Sequence, residues 1–182
     1  MFSHSRNSRK GTLSMAVAAV LLVGSAAQAA DHFTLTAFTN SLSGDSLVHG
    51  NYARAIDQLN LDAHSLASES VDTNRCVALI VTRKLDEAKT ACDDAVRIAQ
   101  KDLVSLPISQ SYSRQDYRQY LASAYSNRAV LSYMLNDKTA AQTDLKKAEA
   151  AAPKDATVAG NVTALQSHDA VAQVSIAQSK QR

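Results

Sequence analysis

From about residue 50 onward the apolar positions recur at helical spacing, and within that pattern there is a repeat. Asn74-Arg75-Cys76-Val77 is matched by Asn127-Arg128-Ala129-Val130. Twelve residues after the small residue of each comes an Ala, Ala88 and Ala141; four later an apolar residue, Cys92 and Leu145; three later again an Ala, Ala95 and Ala148. A third copy opens earlier, where Gly50-Asn51-Tyr52 makes a turn, Ala55 stands in the place of Ala88 and Ala141, and Leu59 follows four later. Ala55 to Ala88 is 33 residues and Ala88 to Ala141 is 53, so an inserted segment at about 103–121 separates the second and third copies. It carries Pro107, Tyr112, Tyr117 and Tyr120, and the Ser113/Asp116 pair is spaced to start a helix. Beyond Pro153, Asp155 and the stripe Val158, Val162, Leu165 predict one more helix.

Helical hairpins give a physical reason for this pattern. Small residues let two antiparallel helices approach closely, and larger apolar residues fill the space beside the contact. Ala55, Ala88, Ala95, Ala129, Ala141 and Ala148 are the expected close-packing positions. A single hairpin cannot bury its apolar face, so an array of stacked hairpins is expected over a plain helical bundle.

These residues resemble the tetratricopeptide repeat, a helix-turn-helix of 34 residues with a small residue in the first helix and Ala in the second. Tyr125, Asn127, Ala129, Leu135-Asn136-Asp137, Ala141, Leu145, Ala148 and Pro153 fall in its register. The resemblance implies an all-α, TPR-like superhelix of hairpins with a C-terminal capping helix. It also implies a concave groove, lined by the first helix of each hairpin, that holds a protein or peptide partner. By position Asn74, Val77, Ile80, Asn127, Val130, Tyr133 and Met134 would face it. The two Asn would hydrogen-bond a peptide backbone, or they would cap and bridge neighbouring helices. Arg75 and Arg128 stand where the family has Leu, which loosens packing there or puts a cation at the groove edge.

The N-terminal end changes the picture of charge and compartment. Arg6, Arg9 and Lys10, the apolar run Leu13 to Gly24 and Ala27-Gln28-Ala29 have the form of an export signal at 1–29, cut after Ala29. The run is shorter than the roughly 20 residues a spanning helix needs, so no stable membrane anchor is expected once the signal is removed. Loss of three cations and no acid turns the formal net charge of +2 into −1. No basic block remains to bind nucleic acid. The expected organisation is a signal at 1–29, an extended segment at 30–44, a helical-repeat domain at 45–168 and a polar tail at 169–182. The expected location is periplasmic or secreted.

Candidate chemistry is sparse. Cys76 and Cys92 lie eight residues on either side of a turn near Lys84, at one level of a hairpin. A structural disulfide is the expected outcome in an oxidising compartment, with free thiols or a redox pair as alternatives. Its 15 intervening residues correspond to about 3 kcal/mol in the chain-entropy model. His32, His49, His64 and His168 are scattered without metal-ligand spacing, so no metal or cofactor is expected. The carboxylate pairs Asp86-Glu87 and Asp93-Asp94 read as solvated. Gly44-Asp45-Ser46-Leu47 spells a serine-esterase motif, yet no Asp has a His three residues later to activate Ser46. A non-enzymatic binding scaffold is therefore expected, against a hydrolase acting through Ser46 or a purely structural helical protein.

Overall fold

Three turns fix the path of the chain. Gly50, Arg83 and Asn136 all have left-handed backbones, with φ of 76°, 62° and 64°. Each is closed by the same pair of bonds. Gly50 N–H donates to Leu47 C=O at 3.0 Å and Asn51 N–H to Ser46 C=O at 2.8 Å. Arg83 and Lys84 repeat this on Ile80 and Leu79, at 3.0 and 2.9 Å, and Asn136 and Asp137 on Tyr133 and Ser132, at 2.9 and 2.8 Å. This is the helix ending in which a left-handed residue lets two orphan carbonyls be satisfied at once. The turns are 33 and 53 residues apart, the same intervals as Ala55, Ala88 and Ala141.

The structure, a computed structural model, describes residues 32–62, 69–105, 111–167 and 174–179. The expected export signal at 1–29 and its cut after Ala29 lie outside them. The described chain is all-α apart from one short pair of strands. In order it runs β1 (Phe33–Phe38), α1 (Leu42–Val48), α2 (Tyr52–Asp62), α3 (Glu69–Val81), α4 (Leu85–Ser105), α5 (Ser111–Met134), α6 (Lys138–Ala151), α7 (Ala156–Gln166) and β2 (Val174–Ser179). The turns join α1 to α2, α3 to α4 and α5 to α6, and α7 packs on α5 and α6. No helix among the described residues is long and apolar enough to cross a membrane.

Ala55, Ala88, Ala95, Ala129, Ala141 and Ala148 are all fully buried. Beside the contact of α3 with α4, the Cys76 and Cys92 sulfurs are bonded, with Cα atoms 4.7 Å apart. Asp155 caps α7 by accepting from Val158 N–H at 2.8 Å.

Three segments differ from expectation. Extended chain covers Phe33–Phe38 and does not run on to residue 44, because Ser41 starts α1: its Oγ accepts from Gly44 N–H at 3.3 Å. The polar tail contains a strand, since Val174–Ser179 pairs in parallel with β1, Phe33 opposite Val174 through Phe38 opposite Ser179. The insertion lengthens two helices. α4 continues to Ser105 and α5 starts at Ser111, ahead of Ser113, with residues 106–110 outside the described ones.

A left-handed backbone costs a residue with a Cβ about 1–2 kcal/mol, which Gly avoids. Arg83→Gly is therefore expected to raise unfolding stability by about 1 kcal/mol and Gly50→Ala to lower it by about the same amount. Urea titration of both variants checks this.

Candidate functional site

β1 lies across α1, α3, α5 and α7. Its sequence, FTLTAF, sends alternate side chains to opposite faces and alternate backbone groups to opposite edges. Along one edge three Asn side chains each take both polar groups of one residue. Asn161 Oδ1 accepts from Thr34 N–H at 2.7 Å while its Nδ2 donates to Thr34 C=O at 2.8 Å. Asn127 does the same to Thr36, at 2.8 and 2.9 Å. Asn74 does the same to Phe38, also at 2.8 and 2.9 Å. The strand thus steps from α7 to α5 to α3, one Asn for every second residue. The opposite edge pairs with β2.

All seven residues expected to line a groove surround or border this strand. Val77, Ile80 and Val130 are fully buried in one cluster with Phe33, Leu35 and Ala37. Tyr133 packs on Phe33 with ring centroids 4.6 Å apart, and Met134 packs at the margin of the same cluster. They were expected to face an open groove. Instead the chain's own residues 33–38 occupy this side, with Phe33, Leu35 and Ala37 buried in the same cluster as Val77, Ile80 and Val130, while Met134 stays half-buried at its margin. Asn74 and Asn127 bond a peptide backbone, and it is this chain's own.

Sequence reasoning missed Asn161, which stands 34 residues after Asn127. That interval is within one residue of the 33 between the first two turns, a signal that could have placed Asn161 in the same row.

The end of β1 explains the Gly44-Asp45-Ser46-Leu47 segment. A Cβ on Gly44 would lie 1.8 Å from Phe38 O and 2.7 Å from Asn74 Nδ2, so α1 approaches the strand as only Gly allows. Ser46 Oγ donates to Gln58 Oε1 at 2.8 Å, a neutral amide that cannot take its proton. His49 contacts Asp45, with Nδ1 2.8 Å from the backbone oxygen. Of the inserted tyrosines, Tyr120 turns inward, packing on Phe38 with ring centroids 4.5 Å apart while its hydroxyl accepts from Asn40 Nδ2 at 3.1 Å. Tyr117 lies 6.1 Å from Tyr120, and the Tyr112 side chain is outside the described residues.

The charged residues point elsewhere. Arg128 donates through Nε and NH2 to both oxygens of Asp144, at 2.7 and 2.9 Å, and through NH1 to Asp93 at 2.9 Å. It thus ties α5 to α4 and α6. The Asp144 hydrogen bonds hold the guanidinium above its usual range against the opposing effect of burial. Arg75 instead donates to Leu59 C=O at 3.0 Å. Arg75 and Arg128, expected either to loosen packing or to put a cation at a groove edge, are each spent on bonds to neighbouring helices. Burial pushes Asp72 above the ordinary carboxylate range, with Arg75 opposing, and its Oδ2 has no hydrogen-bond partner. Burial likewise raises Tyr125, which stacks under Arg128 at 5.6 Å. Among the described residues no group of three His, Cys, Asp or Glu side chains is placed to hold a metal ion.

No protein-family model, curated protein or solved structure matches this chain.

Removing one amide strands two backbone groups. Asn127→Ala leaves Thr36 N–H and C=O buried without partners and is expected to cost about 3 kcal/mol, at the upper end for buried unsatisfied groups. Asn161→Ala should cost less, because Thr34 is only half-buried. Equal, small losses in chemical denaturation would contradict the ladder.

Proposed function

We propose that the chain is an exported, TPR-like scaffold that binds a protein or peptide partner in extended form and carries out no chemistry of its own. The observation that supports this most is the row Asn74, Asn127 and Asn161. It recognises extended main chain through both of its polar groups and makes no demand on side-chain identity. The recurrence of one turn at Gly50, Arg83 and Asn136 supports the repeat character. The Cys76–Cys92 disulfide is compatible with an oxidising compartment, periplasmic or extracellular.

Because β1 already fills the groove interior, a partner meets the outer layer of that groove and not its floor. A purely structural helical protein is the second reading. What favours it is the same filling: Val77, Ile80 and Val130 are sealed.

A photo-crosslinker distinguishes the two. Placed at Leu42 or Ser175, exposed positions beside β1 and on β2, it should yield one dominant protein adduct in envelope extract. Placed at Lys89 or Lys146, exposed on α4 and α6, it should not. Absence of an adduct at all four positions would favour the structural reading. Ester turnover abolished by Ser46→Ala would contradict the non-enzymatic one.

A further inference from the structure

The two strands in the groove are held very differently. β1 buries Phe33, Leu35, Ala37 and Phe38 to 1% exposure or less and is gripped along one edge by three amides. β2 has Ser175 and Gln178 exposed and Ile176 and Ala177 half-buried, and of these Ile176 packs against the core. The bonds of its described side chains are surface ones: Ser175 Oγ lies 3.1 Å from Thr34 Oγ1, and Gln178 Nε2 donates to Thr39 Oγ1 at 3.2 Å. Apart from β1, it touches α1. Among its described residues 175–178, what holds β2 is chiefly the backbone ladder, which any extended, proline-free segment reproduces.

We infer that β2 is a displaceable occupant, and that the β1 edge beneath it accepts an extended segment of a partner protein lying parallel to β1. This rests on the partner-binding reading above and specifies where that partner sits. The backbone groups of Thr34, Thr36 and Phe38 are spent on the Asn row, so the alternate groups of Phe33, Leu35 and Ala37 are what this edge offers. β2 is the template for the ligand. It has one aliphatic residue beside Leu35 at the Ile176 position and a small residue next to it at the Ala177 position. At the Ser175 position it has a hydroxyl to meet Thr34 Oγ1. An uncovered edge of this kind would pair indiscriminately with other chains, and a weakly buried strand in cis shields it until a better-fitting segment arrives. Exchange gives up the half-burial of Ile176 and leaves the β1 core in place.

The test uses the full chain. Ala177 stands opposite Thr36, so its N–H is directed at β1, and Ala177→Pro removes that bond. Ile176→Asp weakens β2 independently by placing a carboxylate at its inward position. The probe is a fluorescent synthetic peptide with the sequence of residues 173–180, QVSIAQSK. Both variants should bind it at least about tenfold more tightly than the wild type, whose site is filled in cis, a difference of about 1.4 kcal/mol. Amide exchange at Phe33, Leu35 and Ala37 should slow again when the peptide is added. Equal binding to all three proteins, or none to either variant, overturns the inference. The two readings also fail separately. If the peptide exchanges as described but Ala177→Pro yields no adduct from the Leu42 crosslinker, strand exchange stands and the partner reading falls. If a partner is captured equally by wild type and Ala177→Pro, the partner reading stands and this inference falls.

Discussion

A strand laid across helices leaves one row of its N–H and C=O groups facing elements that have no backbone partners to give, because helix backbones are already paired within themselves. In a buried groove those groups must still be satisfied. A side-chain amide is suited to the task, since it offers a donor and an acceptor together and can close on both polar groups of a single residue. The structure uses this device three times, at Asn74, Asn127 and Asn161. Everything on the groove side depends on that row. It sets which residues of β1 face the helices, which faces of the strand meet the core, and which edge is left for β2.

Several features that look unrelated follow from docking this strand. Gly44 has no side chain because Phe38 O and Asn74 Nδ2 lie where one would be. Asn74 Nδ2 also donates to Ser41 Oγ at 2.8 Å, so the residue that caps α1 is tied to the clamp on β1. The longer α5 produced by the insertion brings Tyr120 onto Phe38. The esterase-like letters around Ser46 thus lie in a segment whose Gly admits the strand and whose Ser bonds Gln58. Arg128 binds α5 to α4 and α6 through Asp93 and Asp144.

The helices were legible because their signal is long and repeated. The interval between Ala88 and Ala141 reappears between the turns at Arg83 and Asn136, and Cys76 and Cys92 are joined as their equal distance from a turn suggested. The strands were not legible for a local reason. FTLTAF and VSIAQS are six residues each, lie near the N-terminus and in a polar tail, and pair across about 140 residues. Nothing in a short window announces such a partner. The Asn residues were visible, but their role was not, since an amide facing a groove serves a peptide or a neighbouring helix equally well until the groove's occupant is known. The third amide, Asn161, was missed because α7 was read only through its apolar stripe, Val158, Val162 and Leu165.

Residues 33–38 are held against the helices by the amide row, and site-resolved amide hydrogen exchange of the wild type reads that docking residue by residue. If the amides of Thr34, Thr36 and Phe38 exchange only through global unfolding, as slowly as those of Val77 and Val130 in the helices beneath them, the strand is docked as described. If those three amides exchange at the rate of open chain while the helix amides stay protected, the strand is undocked in solution and the amide row does not hold it.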